Sequence, residues 1–126
     1  MTSTPHPEFN CAEFVLAVLD WLESRENAPE AIDTSLELLA NSRRRVFLRV
    51  MRTYEEPLTL PDAAEEVAVR ETGVSVPELS AEHVADVYIS LYHDHLPRLV
   101  DAGLLEYDQE RDLVSPAEIS ETSFDV

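Results

Sequence analysis

A mainly helical domain closed by a small β-hairpin is predicted for this 126-residue chain by three observations. Val84, Val87, Tyr88, Leu91, His95 and Leu99 recur at i, i+3, i+4 and i+7, which gathers them on one face of a long helix from Glu82 to about Ala102. Gly103 follows at once, supplying the left-handed residue that closes a helix C-terminus. Leu104 to Tyr107 and Leu113 to Ser115 are then short apolar-rich segments on either side of the polar run Asp108 to Asp112, the pattern of a hairpin with an exposed tip. A long helix feeding directly into a hairpin is the back half of a winged helix-turn-helix, and an extra N-terminal helix completes the expected fold class.

The elements follow in order. Residues 1–8 carry Pro5 and Pro7 and read as a loose leader. Asn10 can cap a helix with Glu13 three residues on, and Phe14, Val15, Val18, Leu19 and Leu22 form its apolar stripe. This helix lies outside the three-helix plan of a minimal winged domain; it either folds back over the core or packs on a second copy as a dimer. Arg25 to Pro29 ends it. Thr34-Ser35-Leu36-Glu37 has the spacing of a capping box for a short helix through Ala40, and Asn41-Ser42 offers a fresh cap for a helix from Arg43 to Tyr54. Pro57-Leu58-Thr59 is too short to stand alone and is expected to pair with the wing. Thr59 to Asp62 again has capping-box spacing, opening a second helix that Gly73 stops, with small Ala63 and Ala64 predicting looser packing. Three spans result: 1–28 leader and N-terminal helix, 29–115 winged domain, 116–126 acidic tail.

The segments Leu38-Leu39-Ala40-Asn41-Ser42-Arg43-Arg44-Arg45-Val46-Phe47-Leu48 and Val87 to Val114 carry the patterns LLAxxRRRxxL and VYxxLYHxHLPxLxxAGxxEYDxERxxV. Over about residues 33–115 the chain resembles a haloarchaeal winged helix-turn-helix domain family of uncharacterised function. The resemblance implies a fold and a family rather than an activity. The approach to the long helix, Ser75 to Ala81, is longer than the turn of a simple helix-turn-helix.

Composition points to a salty cytoplasm. All nine basic residues are arginine, against twenty-six acids, for a formal charge of −17. Such a charge repels itself in dilute buffer but is screened when the Debye length falls from about 10 Å at 0.1 M to about 3 Å at 1 M salt. With 44% hydrophobic residues and several periodic segments, the chain has the makings of a core. The single cysteine, Cys11, allows neither an internal disulfide nor a cysteine zinc cluster. Glu8 and Glu13 replace the basic region of a secretory signal, and no stretch approaches the ~20 apolar residues that span a bilayer.

Five arginines fall between positions 43 and 52 without an intervening acid. On a helix Val46, Phe47, Val50, Met51 and Tyr54 share one face, and Arg45, Arg49 and Arg52 form a stripe on the other. Guanidinium forks suit phosphate oxygens, so Arg45, Arg49, Arg52 and the hairpin's Arg111 are the candidate phosphate contacts; the alternative is that they pair with the chain's own surplus carboxylates or with a partner subunit. The outward side of the long helix offers Glu82, Asp86, Ile89, Ser90 and His93, of which Ser90 and His93 could reach base edges. The two acids argue against ordinary sequence-specific binding. His93 and His95 point about 200° apart on a helix, unlike the i, i+4 pair of a helical zinc site, so no metal or cofactor is expected. His95 belongs to the core face, bonding a buried carbonyl, and Pro97 deprives the His93 carbonyl of its helical donor. The only glycines, Gly73 and Gly103, exclude a glycine-rich phosphate loop, and no catalytic arrangement stands out. The expected function is a dimeric, cytoplasmic, transcription-regulator-like module for double-stranded DNA rather than an enzyme, with a winged protein-interaction module as the alternative.

Overall fold

The computed structural model describes residues 10–24 and 28–117. The expected leader, and the acidic tail beyond Ala117, lie outside the described residues. The chain forms two compact units, Met1–Glu37 and Leu38–Val126.

In the first unit, α1 (Cys11–Glu23) starts at the predicted cap, where Asn10 Oδ1 accepts the Glu13 N–H at 3.1 Å. Its Val15, Leu16 and Leu19 are 49%, 61% and 47% exposed. The second helix, α2 (Ala28–Leu39), starts six residues before the capping box expected at Thr34. Thr34 sits in the helix interior. Pro29 explains the earlier start, because a residue without an N–H is tolerated in the first turn of a helix, where that donor has no intrahelical acceptor.

The second unit is a winged helix-turn-helix. Asn41 Oδ1 accepts the Arg44 N–H at 3.0 Å and opens α3 (Ser42–Tyr54) as predicted. That helix ends on Glu55, a non-glycine residue at φ 58° whose N–H returns to the Met51 carbonyl. Strand β1 (Leu58–Thr59) leads into α4 (Leu60–Thr72), capped by Thr59 Oγ1 on the Asp62 N–H at 3.2 Å and closed by Gly73 at φ 76°. The long approach noticed in the sequence holds a 3-10 turn, Val76–Glu78. Ser80 then caps α5 (Ala81–Ser90), and the long helix continues through a π turn, Leu91–His95, into α6 (Leu96–Asp101).

The π turn has a cause in the sequence. Pro97 has no N–H, and its ring crowds the carbonyl four residues earlier. The turn ahead of it widens, so that the Leu96 N–H reaches back five residues to the Leu91 carbonyl. At the other end the Leu104 N–H bonds the Leu99 carbonyl at 2.9 Å and the Gly103 N–H bonds the Val100 carbonyl at 3.0 Å, the two bonds of a Schellman closure around a glycine at φ 80°.

Strands β2 (Leu105–Asp108) and β3 (Leu113–Pro116) form the wing, and β1 pairs with β3, giving an antiparallel sheet of order β1-β3-β2. Leu58 lies opposite Val114, as does Tyr107 from the other side. The core is Phe47, Val50 and Met51 from α3, Leu60, Ala63, Ala64, Val67 and Ala68 from α4, the long helix's Val87, Leu91, Leu96 and Leu99, and Leu105 and Val114 of the sheet. Ala63 and Ala64 are fully buried.

Candidate interaction surface

α3 turns Arg44, Phe47, Val50 and Met51 inward. Arg44 is the unexpected member, only 6% exposed. Its Nε donates to Nδ1 of His95 at 3.2 Å and its Nη1 to the Leu38 carbonyl at 3.3 Å. His95, 2% exposed, is on the core face as the sequence predicts, but its ring nitrogen accepts from a guanidinium instead of bonding a carbonyl. That geometry puts the imidazole proton on Nε2. Burial holds the His95 pKa below the usual histidine value; Asp94, with Oδ2 3.7 Å from Nδ1, opposes the shift, and Arg44 adds to it. Arg44's spacing from Phe47 and Met51 was the available signal of its burial.

The contact between Arg44 and His95 joins the inward sides of α3 and the long helix. At about 100° per residue, Arg45, Arg49 and Arg52 fall on the exposed side of α3, away from its buried Phe47 and Val50. Arg45 donates to the Leu39 carbonyl, and neighbouring Arg43 forks onto Glu71 at 2.7 and 2.9 Å. Ser90 is half-buried and His93 is exposed on the long helix. Arg111 stands on the hairpin tip, its Nε 3.6 Å from Asp108. The structure thus places Ser90 and His93 on the long helix, the three-arginine stripe on the exposed side of α3 and Arg111 on the hairpin tip.

Two clefts flank the long helix. One, of about 580 Å³, lies where the 3-10 turn and the start of α4 meet α5; Val76, Leu79, Val84, Ala85 and Ile89 line it, with Glu65 at its edge. Ile89 is 54% exposed and Val76 45%. The exposed Glu82 and Asp86 lie on the same outward side of α5 as Ile89. Negative charge around an apolar patch repels a polyanion and suits an apolar anchor flanked by cations. The second cleft, of about 440 Å³, lies between the π turn, α6 and β2.

The wing is tied to the long helix by a contact that no motif announced. Asp112, at φ 54°, accepts the Tyr88 hydroxyl at 2.8 Å on Oδ2 and the Tyr107 hydroxyl on Oδ1. The Leu60 N–H bonds the Asp112 carbonyl at 2.8 Å. Both phenols are held above their usual pKa, Tyr88 chiefly by its bond to the carboxylate and Tyr107 chiefly by burial. Among the described residues no group of three or more His, Cys, Asp or Glu side chains is arranged to hold a metal ion, and no described helix is long and apolar enough to cross a membrane.

Residues 36–115 match the model of a family described as a domain of unknown function, DUF7344. The match spans well over half of the chain, which belongs to that family. No curated protein and no solved structure matches it.

Proposed function

We propose that this member of the DUF7344 family is a winged protein-interaction module, whose long-helix face receives a partner bearing an apolar anchor beside basic residues. One observation carries the reading: the outward side of the long helix presents the exposed Ile89 with Glu82 and Asp86 and no arginine among them, while Arg45, Arg49 and Arg52 belong to another helix, α3. DNA affinity rests on arginine and lysine neutralising phosphates. A duplex laid on this helix would meet two carboxylates. The module works by binding and needs no chemistry of its own.

The second reading is the transcription-regulator-like DNA-binding module expected from the sequence. The winged architecture favours it, with a long helix beside a hairpin, His93 exposed, Ser90 three residues away and Arg111 at the wing tip. A photo-crosslinking residue at Ile89 of the tagged full chain, irradiated in its own host, separates the two. We expect a discrete adduct that nuclease leaves intact and that yields peptides of a second protein on mass spectrometry. An adduct that nuclease removes overturns the first reading in favour of DNA.

We further infer a cytoplasmic protein of a haloarchaeal-type, high-salt cell, working as a homodimer joined through α1. The charge of −17 without a single lysine supports the first inference, and the exposed Val15, Leu16 and Leu19 support the second. Light scattering in high salt should give a dimer for the full chain and a monomer after removal of residues 1–28; a full-length monomer rules the assembly out.

A further inference from the structure

The cleft between the long helix and the wing has walls of an unusual kind. Tyr92 projects from the π turn and Tyr107 from β2, and their rings meet at 72° with centroids 6.2 Å apart. The Tyr92 ring is stacked on Tyr88 at 6.4 Å and meets the His93 imidazole edge-on at 5.0 Å. Leu96 and Pro97 supply apolar lining, and the exposed Asp101 stands at the rim.

The face of a phenol ring is the negative end of its quadrupole and attracts a cation within about 6 Å of the centroid. Two rings set nearly at right angles and 6.2 Å apart form a corner in which a small cation comes within that distance of both. The remaining lining selects among cations. A bare ammonium or an alkali ion would trade part of its water shell for the carbon surface of Leu96, Pro97 and Val100, with acceptors only on the Asp101 and Gln109 part of the lining. Methyl groups on the cation meet those side chains favourably and spread its charge over the rings. Asp101 adds a negative charge at the mouth, and no arginine lines the cleft. The Tyr107 hydroxyl is already committed to Asp112, so its ring serves as a wall and stays a neutral phenol.

We propose that this cleft binds a small methylated ammonium ion. Because Tyr92 belongs to the helix and Tyr107 to the wing, the guest holds the two together and couples its presence to the surface on either side. The site stands whichever macromolecule the long helix engages.

The test is an NMR titration of the full chain in high KCl with tetramethylammonium, with choline, and with the uncharged carbon isostere of choline. Saturable shifts of the Tyr92 and Tyr107 ring signals with both cations, and not with the isostere, are the expected result. Tyr92→Phe keeps the aromatic wall and should bind as the parent does. Tyr92→Leu removes the wall and should weaken binding by about 5- to 30-fold. Should Tyr92→Leu fail to fold, the surface change Asp101→Asn still reports, with a loss of about 2- to 5-fold. Equal binding of the isostere, shifts that map away from the two rings, unchanged affinity in folded Tyr92→Leu or in Asp101→Asn, or no saturation by either cation each overturn the proposal.

Discussion

His95 brings a titratable ring into the core where the backbone itself is irregular, and Arg44 follows it there from α3. Protonating the ring would set a second positive charge against the guanidinium that now donates to it. Burial, the larger cause, and Arg44 both lower its pKa in the folded state, and Asp94 only partly offsets them. The unfolded chain therefore takes up a proton near the ordinary histidine value of about 6.5 while the folded chain does not. Stability is full above that value and falls as pH drops below it. Urea midpoints measured from pH 7.5 to 5 should decline, and His95→Gln should flatten the decline even where it lowers the midpoint throughout. An equal slope in parent and variant would mean that other groups set the pH dependence. Asp112 permits a second residue-scale prediction. Asp112→Asn tolerates the same left-handed backbone but loses the charge that accepts two phenols. A stability loss of about 1.5–3 kcal/mol is expected by urea denaturation, with faster amide exchange at Arg111 to Val114 than in the parent.

Among the elements, the helix ends carry the clearest lesson. Gly103 closes α6 at φ 80° with nothing within 4 Å of an added Cβ, so Gly103→Ala tests backbone conformation alone and should cost about 1–2 kcal/mol. A loss much above that, measured by thermal or urea unfolding, would mean that the Schellman bonds to Leu99 and Val100 break as well. This closure was legible because one glycine follows a periodic run, and the caps at Asn10, Asn41 and Thr59 were legible for the same local reason. The start of α2 was not. A Thr-x-x-Glu spacing looks alike at a helix start and in a helix interior, and only the continuation of helix back to Ala28 decides between them. The ending at Glu55 was equally hidden, since a left-handed non-glycine residue carries no mark in the sequence. At the surface, periodicity separated the buried and exposed sides of α3 but could not say which side of the long helix they would share. Tyr88, Asp112 and Tyr107 lie on three different elements, so their joint contact exists only after the wing has folded back.

The molecule as a whole carries its charge unevenly. Arg43 is tied to Glu71, Arg44 is inside and Arg45 donates to the Leu39 carbonyl, so three of the five clustered arginines are already engaged within the second unit. The outward long-helix side and the wing tip expose Glu82, Asp86, Asp108 and Glu110, offset by Arg111 beside Asp108 and by Arg43, whose charge Asp86 attracts. Repulsion among such groups extends over about 30 Å at 10 mM salt and over about 3 Å at 1 M. The core opposing it is modest, with four of its members alanine or short valine on α4. Folding should therefore depend on ionic strength. Dialysis from about molar to about 10 mM KCl is expected to reduce the far-ultraviolet helical signal, and NaCl should restore it as well as KCl does, because screening depends on ion charge and concentration. Restoration by only one of the two salts would point to a specific ion site instead, and a spectrum unchanged across the range would mean that burial alone outweighs a net charge of −17.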